Sequence, residues 1–168
     1  IAIGSGAAFT IAGGSTLAHT GAGAAYTGTG LLLIDTGAAF NLTAAATTSV
    51  LIQLAQYSSA GATIGGSGQT LTVAAGMDAR DGTIAANVTN ASGSTIQVRN
   101  GANHTVTFGG TVTNQAGGTF QVEGSGQGNA EAVITGTLNN SGTVTLITTS
   151  NAYYANLNAA GGVINATI

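Results

Sequence analysis

Chemistry in this sequence has to come from very few side chains. The 168 residues include two basic groups, Arg80 and Arg99, five acidic ones, two histidines and no cysteine. The densest group is Asp78-Ala79-Arg80-Asp81. Asp78 and Asp81 could hold calcium, since hard carboxylate oxygens suit that ion. The plainer reading is a solvated loop with a local ion pair, and the run does not match a nonapeptide calcium-binding repeat. Glu123 and Glu131 are the best pair for glycoside hydrolysis, which needs two carboxylates roughly 5–10 Å apart on one face. Glu123, however, falls in the Gly124-Ser125-Gly126-Gln127-Gly128 corner, which is expected to be mobile and solvated. No arginine or lysine lies near enough in sequence to suggest a lyase base. His19 and His104 lack cysteine or carboxylate partners at metal spacing and read as corner or surface residues. Tyr153-Tyr154 could stack on sugars or on a neighbouring subunit. The chain is therefore read as non-enzymatic, with no cofactor, no resident metal and no catalytic residue.

Composition narrows the classes further. Only 4% of residues are charged, against about 25% in an ordinary globular protein. The apolar fraction is 43% and the formal charge −3, which is unlike a disordered polar chain. Two cations cannot neutralise a run of phosphates, so nucleic acid is excluded as a partner. The same count argues against docking on anionic lipid. No apolar run approaches the ~18 residues of a membrane span. The longest block, Leu31-Leu32-Leu33-Ile34, is closed by Asp35 and reads as a buried strand. Without cysteine there is neither a disulfide framework nor a thiolate metal site. Poverty in Lys and Glu is unlike a cytosolic enzyme and points to export. Ile1 is expected to follow processing or a cut.

Such side chains need elements that satisfy them by mutual hydrogen bonding, and the sequence repeats accordingly. Val88-Thr89-Asn90-Ala91-Ser92-Gly93-Ser94-Thr95-Ile96-Gln97-Val98 returns, at an offset of 24, as Val112-Thr113-Asn114-Gln115-Ala116-Gly117-Gly118-Thr119-Phe120-Gln121-Val122. It returns again, shortened, as Leu138-Asn139-Asn140-Ser141-Gly142-Thr143-Val144-Thr145-Leu146. A repeat period of this order decides an architecture. Ile96 and Val98 alternate with Thr95 and Gln97, the period of a half-buried strand. A second strand is read at Thr105-Val106-Thr107-Phe108 and Glu131-Ala132-Val133-Ile134. A third is read at Thr111-Val112-Thr113 and Thr137-Leu138-Asn139. Three short strands and three corners in each step of the repeat describe one coil of an all-β parallel β-helix, a β-solenoid. Thr70-Leu71-Thr72-Val73, at an offset of 25 before Thr95, is expected to extend the stack. Thr70, Thr95, Thr119 and Thr143 then form an outward ladder, with Leu71, Ile96, Phe120 and Val144 stacked inward. Seven coils at ~4.8 Å would make a rod roughly 34 Å long.

Residues 67–168 read as regular repeats and 1–66 as irregular coils of the same continuous domain. Gly6-Ala7-Ala8-Phe9-Thr10-Ile11 resembles Gly37-Ala38-Ala39-Phe40-Asn41-Leu42 at an offset of 31, with Gly23-Ala24-Ala25-Tyr26 between them. Ala44-Ala45-Ala46 has helical promise, but Val50-Leu51-Ile52 and the threonines favour strand. The absence of proline suits stacked strands, because proline deletes a ladder donor.

Gly109-Gly110-Thr111-Val112-Thr113-Asn114 through Gly117-Gly118-Thr119-Phe120-Gln121-Val122, with Gly136-Thr137-Leu138-Asn139-Asn140-Ser141-Gly142-Thr143-Val144-Thr145-Leu146, resembles the β-helical stalks of secreted bacterial adhesins. These are of the filamentous-haemagglutinin-like and autotransporter-passenger type. The resemblance covers about 67–168 by motif and the remainder by composition. It implies a right-handed parallel β-helix exported to the cell surface, with roles in adhesion, aggregation or biofilm. It carries over no catalytic residue, and nothing here resembles the family's secretion-directing domain or outer-membrane barrel.

Solenoid ends expose strand edges that proteins usually cap or charge. Ile1 and Ile3 open this chain and Val163, Ile164 and Ile168 close it, with no charge and no proline between them at either end. Open heterologous contacts of that kind build filaments, as does strand exchange. A cap outside this sequence is the alternative. The expected function is thus a structural, extracellular surface fibre or stalk that self-associates end to end. A module binding glycans or a cell-surface receptor is the alternative. Thr-x-Thr pairs (Thr70/Thr72, Thr105/Thr107, Thr111/Thr113, Thr143/Thr145) invite an ice-binding reading. The expected column Thr72, Gln97, Gln121, Thr145 breaks that lattice. Asn-x-Ser/Thr sequons at Asn41, Asn87, Asn90, Asn103, Asn139 and Asn165 matter only where secreted proteins are glycosylated.

Overall fold

The computed structural model describes residues 1–21, 25–56, 60–99, 104–125 and 128–166. Strands visit three parallel sheets in strict rotation. Sheet 1 stacks β1 (Ala2–Ile3), β4 (Ala25–Gly28), β7 (Ala46–Thr48), β10 (Thr70–Val73), β13 (Asn87–Asn90), β16 (Thr111–Asn114), β19 (Thr137–Asn140) and β22 (Val163–Ala166). Sheet 2 stacks β2 (Ala8–Ile11), β5 (Leu31–Ile34), β8 (Leu51–Leu54), β11 (Met77–Ala79), β14 (Thr95–Val98), β17 (Thr119–Gly124) and β20 (Thr143–Thr148). Sheet 3 stacks β3 (Thr16–His19), β6 (Ala39–Leu42), β9 (Ala62–Gly65), β12 (Gly82–Ile84), β15 (Thr105–Phe108), β18 (Ala130–Ile134) and β21 (Ala155–Asn158). This is a parallel β-solenoid, and no helix occurs among the described residues. Six inter-strand steps in each seven-stranded sheet give a stack about 29 Å long at ~4.8 Å per step.

Alternation within each strand builds the core. Leu32 and Ile34 are fully buried while Leu31 and Leu33 stay half-exposed on the outer face. Inward columns run Ile52–Met77–Ile96–Phe120 in sheet 2 and Phe40–Ile64–Ile84–Phe108–Ile134 in sheet 3, all with essentially no exposed surface. Each such side chain contributes roughly 1.5–3 kcal/mol by burial. No single coil can cover its own face, so the stack is the folding unit. Phe108 and Phe120 meet edge to face at 5.4 Å, and Tyr26 and Phe40 do so at 5.6 Å.

The strong repeats pair as expected. Val88 opposes Val112 and Val112 opposes Leu138; Thr95, Thr119 and Thr143 stack, as do Ile96, Phe120 and Val144. Thr70–Val73 differs. It lies in sheet 1, with Leu71 opposite Val88, and Met77 takes the place beneath Ile96 that Leu71 was expected to hold. The physical reason is a short coil. Thr70 pairs with Asn87 at an offset of only 17, and Met77 with Ile96 at an offset of 19, because the corners there shrink. At Gly82 the chain turns with φ +127°, where a Cβ would lie 1.9 Å from the Ala62 carbonyl oxygen. Only glycine tolerates that approach.

The N-terminal segment, 1–66, belongs to the same stack, since β7, β8 and β9 pair directly with β10, β11 and β12. The offset of 31 is also explained. Phe9 sits in sheet 2, Tyr26 in sheet 1 and Phe40 in sheet 3, so the Gly-Ala-Ala-aromatic segments mark successive corners of the cross-section rather than one column. Residues after Asn41 form β7 and β8, strands as the threonines suggested.

Candidate functional site

The strongest polar feature is a charged triad on the outer face of sheet 2. Met77 and Ala79 point inward with Ile52 and Ile96 and with Leu54 and Val98, which turns Asp78 outward between Gln53 and Gln97. Even so, all of β11 is buried. The Arg80 Nε and Nη2 donate to Asp78 Oδ2 at 3.0 and 2.6 Å. Arg99, stacked beside Arg80 in the next coil, donates from Nε to Oδ1 at 3.0 Å and from Nη2 to Oδ2 at 2.9 Å. Burial pushes the Asp78 carboxyl up, but the hydrogen bonds and charges of Arg99 and Arg80 outweigh it, so its pKa lies below the ordinary aspartate value. Both arginines of the chain thus converge on one carboxylate, with side-chain exposures of 16% for Arg80 and 38% for Arg99.

This arrangement bears on the calcium reading of Asp78 and Asp81. Asp78 is not in a solvated loop but on a strand, and its oxygens are taken by two guanidinium groups. Asp81 turns to another partner, His104, whose Nδ1 is 3.4 Å from Asp81 Oδ2. Burial raises the Asp81 pKa, partly offset by His104 and the Gly82 N–H. Among the described residues no three His, Cys, Asp or Glu side chains converge on a common point.

The carboxylates weighed for hydrolysis lie on different sheets. Glu123 belongs to β17 rather than to a mobile corner, and it accepts hydrogen bonds from Gln97 and, at 3.1 Å, from Gln121. Glu131, on β18, is bonded by Thr105 at 3.3 Å and Asn156 at 3.1 Å. His19 is buried, not at a corner. Its Nδ1 lies 3.4 Å from the Tyr26 hydroxyl, and its Nε2 has no partner among the described residues. Tyr154 is 57% exposed.

Sheet 1 carries two polar features that the sequence register concealed. Inside, Asn90, Asn114 and Asn140 form an amide ladder. The Nδ2 of Asn90 donates to Asn114 Oδ1 at 2.7 Å, and that of Asn114 to Asn140 Oδ1 at 2.6 Å. Outside, Thr70/Thr72, Asn87/Thr89, Thr111/Thr113 and Thr137/Asn139 lie on four successive strands. Thr72 is therefore in column with Thr89 and Thr113, not with Gln97, and the interruptions of the threonine columns on this face are Asn87 and Asn139. Of the sequons, Asn90 is fully buried, Asn87 accepts the Thr111 N–H, and Asn165 donates to Asn139 on the surface. Asn103 lies outside the described residues.

The end residues divide. Ile1 is 58% exposed, but Ile3 is 4% exposed and belongs to the core. Val163 and Ile164 are 51% and 37% exposed, while Ile168 lies outside the described residues. In the last coil Val144, Leu146, Leu157 and Ile164 continue the columns of Phe120, Val122, Ala132 and Leu138 without a further layer over them among the described residues. No helix of the described residues is long and apolar enough to cross a membrane. Compared with models of protein families, with curated proteins and with solved structures, the chain finds no match.

Proposed function

We propose that this chain is a non-enzymatic structural protein of the cell exterior, a β-solenoid subunit or stalk of a surface fibre that associates end to end. The observation that supports this reading is the continuous stack of three parallel sheets, whose inward columns are covered only by the neighbouring coil. Leu146 is 53% and Ile164 37% exposed although both stand in columns that are fully buried one coil earlier. Covering the exposed halves of Leu146 and Ile164 recovers only part of roughly 1.5–3 kcal/mol each, so strand-to-strand hydrogen bonds between subunits must supply the rest of the ~4–15 kcal/mol that association costs. Assembly would then depend on concentration. The exported, fibre-forming role also agrees with the resemblance to adhesin stalks.

Sedimentation velocity and electron microscopy of the isolated protein test it. Filaments that grow with concentration are expected, and L146D/I164D should abolish them while leaving the monomer folded. A wild type that stays monomeric at millimolar concentration would sink the reading. The unbroken Thr/Asn lattice outside sheet 1 favours a second reading, ice binding through that face, since its uncharged groups repeat at ~4.8 Å between strands and about 6.6 Å along them. Thermal hysteresis decides it, and none at millimolar protein ends it.

A further inference from the structure

The amide ladder inside sheet 1 stops at a polar atom that no neighbouring side chain serves. Asn114 Oδ1 accepts from Asn90 and Asn140 Oδ1 accepts from Asn114, but Asn90 Oδ1 has no protein partner among the described residues. The residue in register beneath it is Val73, which has no side-chain donor to offer. Ser94 Oγ, further along the same corner, is in the same condition. Neither side chain reaches solvent, for Asn90 is fully buried and Ser94 is 2% exposed.

The next coil shows how near these two groups are to each other. Ser94 and Gly118 hold the same place, since Thr95 stands opposite Thr119. Each also closes the same turn, the Ser94 N–H donating to Ala91 O at 3.0 Å and the Gly118 N–H to Gln115 O at 2.8 Å. A Cβ on Gly118 would lie 2.8 Å from Asn114 Oδ1. Repeating that turn one coil down sets the Ser94 Cβ, with the hydroxyl it carries, beside the Asn90 amide. No direct hydrogen bond joins Ser94 Oγ to Asn90 Oδ1, so the two oxygens border one small space.

The space has its cause in the coil lengths. With Val73 opposite Asn90 and Met77 opposite Ile96, residues 74–76 lie beneath residues 91–95, a corner two residues longer. Ala74, Ala75 and Gly76 have too little side chain to make up the difference. On the outside the mismatch leaves a depression of about 230 Å³ whose lining includes Ala75, Gly76, Gly93 and Thr95. Leu51 stands at its rim, 44% exposed, with Cδ1 3.4 Å from where a Gly76 Cβ would be.

The chemistry of the inner space is narrow. An occupant must donate to an amide oxygen, exchange a hydrogen bond with a hydroxyl, and rest against Val73. Asn90 Nδ2 is already committed to Asn114 Oδ1 and Thr119 O. Buried polar groups nearly always have partners, and ordered water serves those that the protein does not. We propose that one buried water molecule bridges Asn90 Oδ1 and Ser94 Oγ and so terminates the amide ladder. The site lies within the stack, and it depends neither on fibre formation nor on ice binding.

A crystal structure fine enough to show ordered water, together with thermal melts of two variants, tests the proposal. Wild type should show one water within ~2.5–3.0 Å of both oxygens. S94A should lower the melting temperature by roughly 2–4 °C, because the water loses one of its two partners. Were the hydroxyl unpartnered, its removal would leave the melting temperature unchanged or raise it. V73N should expel the water by bringing its own amide to Asn90 Oδ1, and S94A in that background should no longer lower the melting temperature. No water between the two oxygens, or S94A melting at or above wild type, would overturn it.

Discussion

Replacing Asn114 by alanine probes what holds the coils in register. Its amide takes part in four hydrogen bonds: it accepts from Asn90 and donates to Gly118 O at 3.3 Å, Asn140 Oδ1 at 2.6 Å and Thr143 O at 3.0 Å. At a net ~0.5–1.5 kcal/mol each, with ~1–3 kcal/mol more where a buried acceptor loses its donor, N114A should cost about 3–5 kcal/mol. The ladder's ends should cost less. N140A removes one bond from Asn114 and one to Gly142 O at the 8%-exposed edge of the ladder, about 2 kcal/mol. N90A loses the bonds to Asn114 and to Thr119 O but also deletes an Oδ1 that has no partner, about 1–2 kcal/mol. Urea unfolding monitored by far-UV circular dichroism reads the difference. With m near 1–3 kcal/mol/M, N114A should lower the midpoint by roughly 1–3 M at unchanged m. Equal losses for the three variants, or N140A costing more than N114A, would refute the argument that the middle amide couples its neighbours.

Other expectations follow from the same contacts. V73N should be neutral or stabilising by up to ~1 kcal/mol, since Val73 lies in register beneath Asn90 and the new Nδ2 can reach its unpartnered Oδ1; V73T, which cannot span the gap, should destabilise in the same urea assay. Asp78 has a folded pKa below its unfolded one, so its contribution is present above about pH 4 and is lost as pH falls through the lower folded value. Wild-type melting temperature should therefore drop below about pH 4, whereas D78N, less stable at pH 7 because two cations lose their counter-charge, should show a flatter acid limb. G82A forces a Cβ against the Ala62 carbonyl oxygen at a φ of +127°; a loss of ~3 kcal/mol or more, or failure to fold, is expected by thermal melt.

Much of the architecture was legible because strand alternation coincides with a step of 24 from Val88 to Val112 and from Ile96 through Phe120 to Val144. Both signals read the same pairs that the sheets contain, such as Ile96 with Phe120. They failed where the step shortened. Thr70-Leu71-Thr72-Val73 alternates equally well against Thr95–Val98 and against Asn87–Asn90, and periodicity alone cannot choose between two strands of one coil. The same slip hid the candidate site. A uniform step would set Arg99 over Ala74 or Ala75, whereas the actual step of 19 sets it beside Arg80 and over Asp78. The partners of Asp78 were thus half visible, as Arg80 two positions on, and half concealed. Exposure of Leu51 and the missing side chain at Gly76 carry no sequence signal until the column is known. The Asn ladder was present in the repeated segments, as Asn90, Asn114 and Asn140, but its inward direction followed only from the strand register.

The sequence offset from one strand to its partner in the sheet varies from 17, Thr70 to Asn87, to 26, Thr111 to Thr137, while the pairing itself never breaks. Corners are thus decoupled from the lattice they connect. Lengthening a corner adds only a slowly growing closure entropy, and the strands above and below keep their neighbours. A lineage of such chains can gain or lose residues at the corners with little penalty, whereas a single residue gained within a strand inverts the remaining side chains of that strand. Heritable variation should accumulate along three longitudinal seams of the rod, leaving the flat faces as slowly changing surfaces on which a recognition pattern can be kept.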